Sequence, residues 1–157
     1  MDRRTKLKRS CTPTRRKGSM SRYLNTVRKM LQAFAYMSRA REPLDDIRLT
    51  RIALRSSMFN QTAGVTGVLL FDGQYFFQYI EGPQDGVDAV MGRIAGARAH
   101  AEIKALVSRR VQSRLIPYWS MEFVPAKGLE LSSVAEANWD DLLETPTGAT
   151  GIDKLMY

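Results

Sequence analysis

Gln78 stands in Val65-Thr66-Gly67-Val68-Leu69-Leu70-Phe71-Asp72-Gly73-Gln74-Tyr75-Phe76-Phe77-Gln78-Tyr79-Ile80-Glu81-Gly82, a largely apolar stretch where an amide is out of place. Asp-Gly between two apolar runs signals a β-hairpin. A two-residue turn there sets Phe71 against Gln74, Leu69 against Phe76 and Gly67 against Gln78. Strand alternation then puts Val65, Gly67, Leu69, Phe71, Gln74, Phe76, Gln78 and Ile80 on one side. A buried amide without a partner costs about 1–3 kcal/mol. The pattern therefore predicts a polar partner for Gln78, and a glycine opposite it leaves room for a ligand. An amide also carries donor and acceptor on one planar group, so it can exchange hydrogen bonds without changing charge.

Other chemistry has little to use. The chain of 157 residues has one cysteine, Cys11, and one histidine, His100. An intramolecular disulfide framework, a Cys-based metal site and a histidine cluster are all excluded. His100 follows an Ala/Gly-rich helix end and is expected at the surface or in a terminal turn. Hydrolytic and zinc chemistry are correspondingly disfavoured, and no enzymatic activity or metal is expected.

The elements that must position Gln78 can be read in order. Leu31–Met37 is a strand with Tyr36 near its end. Pro43 opens a helix with Leu44, Ile47, Ile52, Leu54 and Met58 at helical spacing, acids early and arginines later. Ile52, Ser56 and Asn60 recur at i, i+4, i+8, so they share one face. The hairpin follows, and Glu81-Gly82-Pro83 breaks the chain. A second helix from about Gln84 to Ala97 presents Val87, Val90, Met91 and Ile94. Ile103–Val111 and Trp119–Val124 are further strands, with Trp119 and Met121 on one face of the latter. Leu131–Leu143 is a short helix holding Trp139, ahead of a Thr/Gly-rich end.

The order β-α-β-β-α-β is the ferredoxin-like α+β pattern, with an added fifth strand and a C-terminal helix. Both helices should cover the Gln78 face. The other hairpin face, Thr66, Val68, Leu70, Tyr75, Phe77 and Tyr79, needs the terminal helix, a second protomer or a partner over it.

Charge is concentrated at the N-terminus. Residues 1–19 carry eight Lys/Arg against Asp2, whereas the rest holds 16 basic and 15 acidic side chains. Residues 1–22 are expected to be a disordered basic arm, either a solvated tail or an attractor of nucleic acid or anionic membrane. No secretory h-region or transmembrane-length apolar run exists, so a cytoplasmic protein is expected.

Tyr36-Met37-Ser38, Asn60-Gln61-Thr62-Ala63-Gly64-Val65-Thr66-Gly67, Phe76-Phe77-Gln78-Tyr79-Ile80-Glu81-Gly82 and Trp119-Ser120-Met121 together resemble the BLUF family of flavin-based blue-light sensors. The resemblance implies a flavin-binding domain over residues 30–125, followed by a helical cap and tail over 126–157. It implies FAD, with FMN or riboflavin as alternatives, held non-covalently between two helices. Asn60, Ser56, Ile52, Gln78 and Tyr36 would line the cofactor, and Tyr36 and Gln78 would be the photoactive pair. Light would drive electron and proton transfer from Tyr36 to the flavin, with rotation or tautomerisation of the Gln78 amide. Trp119 and Met121 would relay the signal. Two departures stand out: Phe59 precedes Asn60, and Gly96-Ala97-Arg98-Ala99-His100 has alanines where the family often carries Asp and Arg.

The tail after Val124 is too short for a cyclase or phosphodiesterase domain. Output is therefore expected through a separate protein, such as a cyclic-dinucleotide enzyme or a transcriptional regulator, or through homo-oligomerisation. Two competing readings stand beside this one. A ferredoxin-like RNA-binding module would stack bases on Tyr75, Phe77 and Tyr79 and use the basic arm. A hydrolase of small phosphorylated substrates would need a basic anion cradle, and Gly82-Pro83-Gln84-Asp85-Gly86 carries an acid instead.

Overall fold

The computed structural model describes residues 30–126 together with Leu131, Val134, Glu136, Asn138 and Trp139. The basic arm expected over 1–22, and most of the cap and tail expected over 126–157, lie outside the described residues. The elements are β1 (Leu31–Ala40), α1 (Asp46–Ala63), β2 (Thr66–Phe71), β3 (Tyr75–Pro83), α2 (Gln84–Ala95), β4 (His100–Val111) and β5 (Glu122–Pro125). They build one sheet in the order β4-β1-β3-β2-β5. All pairings are antiparallel except β2 with β5. This is the ferredoxin-like α+β arrangement with an added edge strand. Among the described residues no helix is long and apolar enough to cross a membrane.

Local chemistry explains the helix ends. The Asp45 side chain accepts a hydrogen bond from the Arg48 N–H at 2.7 Å, so α1 starts there and not at Pro43. Gly64, at φ +67°, closes α1 in the left-handed conformation. β1 and β4 are each three residues longer than the sequence pattern suggested. The latter now includes His100.

The hairpin differs from expectation in register. Phe71 pairs with Phe76, Leu69 with Gln78 and Gly67 with Ile80, two residues on from a tight Asp72-Gly73 turn. The Asp72 carboxylate accepts from the Gln74 and Tyr75 N–H groups at 2.8 and 2.7 Å, and Gly73 takes φ +110°, which together stabilise a longer connection. A slip of two residues preserves the faces, so Gln78 still lies with Phe76 and Ile80. The space expected beside Gln78 does not come from Gly67. A Cβ at Gly67 would lie 2.1 Å from the Tyr79 carbonyl oxygen, so this glycine serves close backbone approach.

Two cores flank the sheet. On one face Leu49 of α1 and Val87, Val90 and Ile94 of α2 pack on Tyr36, Leu69, Phe71, Phe76 and Ile80. On the other, Leu131, Val134 and Trp139 pack on Ala33, Ala35, Met37, Val68, Leu70, Phe77 and Tyr79. The Trp139 ring stacks on Phe77 at 5.2 Å between centroids, and its indole N–H donates to the Val134 carbonyl at 3.0 Å. The apolar outer face is thus covered by residues of the C-terminal segment.

Candidate functional site

β1 and β3 pair so that Tyr36 and Gln78 are direct cross-strand neighbours. Both are buried, and the Tyr36 hydroxyl donates to Gln78 Oε1 at 2.5 Å. Gln78 Nε2 in turn points at the Met121 sulfur, 3.6 Å away. The polar partner that the amide demanded is therefore supplied within the chain, by a phenol on one side and a thioether on the other. Burial pushes the Tyr36 pKa far above its ordinary value. The raised value keeps the hydroxyl protonated, as its donation to Gln78 requires.

α1 brings the next residues. Asn60 is buried, and its amide donates to the Ser120 carbonyl at 2.8 Å, tying α1 to the segment that enters β5. Ser56 and Asn60 line a narrow cleft of about 60 Å³ between α1 and α2, with Gln78 at its floor and Phe59, Val90 and Ile94 as apolar walls. Arg93 closes this cleft by lying over the Phe59 ring at 4.1 Å. Ile52 lies one step outward, in a cavity of about 200 Å³ whose lining includes Arg48, Arg51, Arg55 and Arg98. Arg55 borders both spaces. The i, i+4, i+8 stripe thus runs from the outer cavity to the buried amides.

The expected relay residues separate. β5 starts at Glu122, so Trp119 and Met121 lie in the connection before it and not on a strand face. Met121 is buried against Gln78. Trp119 is 44% exposed, and it contacts the sheet through its carbonyl, which accepts from the Gly67 N–H at 3.0 Å. Its indole meets the exposed Tyr118 ring edge-on.

Three side chains with long-range partners near the site escaped the sequence pattern. His100 is buried, contrary to the surface position expected; its Nδ1 lies 2.8 Å from Ser38 Oγ, and its ring packs edge-on to Tyr36 and against Phe76. Desolvation lowers its pKa below the usual 6.5. Glu81, which the sequence offered only as a chain break, is a fully buried residue within β3. Arg114 donates to Thr66 Oγ1 and to the Glu81 and Gly64 carbonyls. The one available signal was an acid at position 81, on the same strand face as Phe77 and Tyr79. Those two aromatics are themselves fully buried, with the Trp139 ring stacked on Phe77.

Residues 31–122 match the family model described as sensors of blue-light using FAD. The chain belongs to the BLUF family. BLUF domains are flavin-binding blue-light sensors, and this chain carries one. It is 28% identical over 111 residues to the blue light- and temperature-regulated antirepressor BluF of Escherichia coli, covering 71% of this chain but only 28% of that protein. Among solved structures, BlrB, a BLUF protein in its dark state, is 30% identical with a TM-score of 0.65, covering 74% of this chain and 92% of that one. A bacterial light-regulated adenylyl cyclase is 26% identical with a TM-score of 0.61, covering 68% of this chain and 32% of that one.

The donor set fits a flavin ring. Gln78, Asn60 and Ser56 offer amide and hydroxyl groups to a polar ring edge, and Phe59, Val90 and Ile94 offer apolar walls to its faces. The Arg93–Phe59 contact lies over this cleft, and a cation–π contact at an exposed site is worth only about 0.5–1 kcal/mol, so by itself it opposes ring entry weakly.

Proposed function

We propose that this BLUF domain is a blue-light switch whose moving part is the buried Tyr36–Gln78–Met121 chain of contacts. The observation that carries the reading is the Gln78 amide, its oxygen on the Tyr36 hydroxyl and its nitrogen on the Met121 sulfur. A bound flavin supplies the blue-light-absorbing group that takes up an electron and a proton when excited. Tyr36 is suited to provide both at once, because burial holds its proton on the hydroxyl. Gln78 is suited to answer without any change of charge. Rotating the amide, or moving its proton by tautomerisation, replaces the acceptor facing Tyr36 and removes the donor facing Met121. Asn60 ties α1 to Ser120 in the segment before β5, so it fixes the frame in which that exchange occurs.

The cofactor best supported is FAD. Arg48, Arg51, Arg55 and Arg98 line the outer cavity with Glu42, and among the described residues only Arg48 of the four is paired, with Glu42. The three other guanidinium groups suit the phosphates of a dinucleotide better than the neutral tail of riboflavin. They also offer charge beside Ala97 and Ala99, where the family often carries Asp and Arg.

The signal leaves through the segment before β5, towards a partner protein. Met121 is the residue that feels the Gln78 amide, and Trp119 with Tyr118, 44% and 85% exposed, is the surface it carries. Gln78→Leu tests the assignment: flavin should remain bound while the light-induced red shift disappears. A normal shift in that variant overturns the role given to Gln78.

A further inference from the structure

The connection between β4 and β5 crosses from one edge of the sheet to the other, because β4 and β5 are the two edge strands. On the way it changes face. Leu115 and Ile116 pack in the core under Trp139, whereas Met121 packs in the core under the helices. Residues 114–121 therefore form a strap that touches both sides of β3.

Its two ends are held differently. Gln78 and Glu81 are three residues apart on β3, so their side chains leave the strand on opposite faces. On the helix side the strap meets Gln78 through one weak N–H to sulfur contact at 3.6 Å. On the far side the Glu81 carboxylate accepts from the Leu115 N–H at 2.9 Å, the Ile116 N–H at 2.6 Å and the Tyr79 hydroxyl at 2.9 Å. Arg114 adds three contacts: to Thr66 Oγ1 at 2.7 Å, to the Glu81 carbonyl at 2.8 Å and to the Gly64 carbonyl at 2.6 Å. Hydrogen bonds to a charged acceptor are the strong kind, and a buried carboxylate cannot exchange them for water.

We infer that Glu81 is a positioning residue: it anchors one end of the strap so that a change at Gln78 is taken up at Trp119–Met121 and nowhere upstream. The inference rests on the light-switch reading above. With Leu115 and Ile116 fixed, the response falls between Ile116 and β5, where the strap is held by single bonds to the Trp119 carbonyl from the Gly67 N–H at 3.0 Å and to the Ser120 carbonyl from the Asn60 amide at 2.8 Å. Without the anchor, the same change at Gln78 spreads along a loose strap, and Trp119 has no defined second position.

The test uses the full chain loaded with FAD and labelled with 5-fluorotryptophan. The two tryptophans give two fluorine resonances, assigned with Trp119→Phe. Glu81→Gln keeps the size of the side chain but places an NH2 group against a backbone N–H. It should raise amide exchange at Leu115 and Ile116 at least tenfold in the dark and abolish the light-induced shift of the Trp119 resonance. The flavin red shift should persist. Tyr79→Phe removes a partner of Glu81 that is not on the strap, and should keep slow exchange and a full Trp119 response. If Glu81→Gln does not fold, Glu81→Asp, whose shorter side chain withdraws the carboxylate from the strap, carries the same readouts. Slow exchange at Leu115 and Ile116, or an undiminished Trp119 response, in the Glu81 variant overturns the anchor. Absence of any light-induced absorption change in the unmodified protein defeats the light-switch reading instead, while the dark exchange rates still decide whether Glu81 holds the strap.

Discussion

The Tyr36 hydroxyl and the Gln78 amide oxygen are 2.5 Å apart, joined across adjacent strands at a point where neither residue reaches water. The contact is set by backbone register, so the pair keeps its geometry even if the helices above part to admit a flavin. A phenol and an amide are thus preassembled on adjacent strands of the sheet.

Tyr36→Phe removes one atom from that pair. The Gln78 oxygen loses its partner while still buried, which costs stability by about 1–3 kcal/mol. Flavin binding should survive, because the cleft is lined by Gln78, Asn60, Ser56, Phe59, Val90 and Ile94 and not by Tyr36. The photocycle should be lost. Denaturant unfolding and a light-minus-dark spectrum check both, and a preserved photocycle would remove Tyr36 from the switch.

Gly67→Ala should destabilise the protein by about 1–3 kcal/mol, the usual range for overpacking a tight contact. Its Cβ would meet the Tyr79 carbonyl oxygen and the Ile80 backbone, neither of which can swing aside as a flexible side chain does. The same shift would disturb the Gly67 N–H to Trp119 carbonyl bond. Urea midpoints of the two proteins measure the cost; equal midpoints would show that β2 and β3 can part at this position.

His100 sets an acid limit to stability. Its folded pKa lies below 6.5 because burial disfavours the imidazolium. The fold therefore favours the neutral ring: its contribution is complete above pH 6.5 and is lost as pH falls through the lowered folded value. Glu81 acts in the opposite sense. Desolvation raises its pKa above 4.5, so its contribution is present at low pH and falls as pH rises through the raised value. The difference between the unmodified protein and His100→Asn isolates the histidine, and should shrink on acidification below pH 6.5. The chain has a single histidine, so NMR titration of its ring protons reads the pKa directly, and a midpoint at or above 6.5 would contradict this account.

Affinity of the apoprotein should rank FAD above FMN above riboflavin, and raised salt should narrow the gap, because the exposed arginines act through screened charge. Arg51→Gln together with Arg98→Gln should cost FAD affinity at least tenfold and leave riboflavin unchanged. Equal affinities for all three flavins would detach the arginine cavity from cofactor choice.

Much of this was legible in the sequence, for reasons visible in particular residues. The alternation around Gln78 placed it on the helix face, and that survived a two-residue register error because strand faces repeat every two residues. Helical spacing correctly put Ile52, Ser56 and Asn60 on one stripe. The turn itself was misread because the Asp72 side chain, capping two backbone N–H groups, lengthens the connection that Asp-Gly alone suggests. His100 was misplaced because an Ala/Gly-rich approach reads as a frayed helix end, whereas its imidazole finds Ser38 on a strand 62 residues earlier. The partners of Glu81 lie 34 and 35 residues away, and no local pattern announces a contact at that distance.

The most direct test of the central claim is the absorption spectrum of the purified, FAD-loaded protein in the dark and then under blue light. The account predicts a flavin spectrum that moves to the red on illumination and returns in the dark. A protein that cannot be loaded with flavin, or one whose loaded flavin shows no reversible red shift, would contradict it.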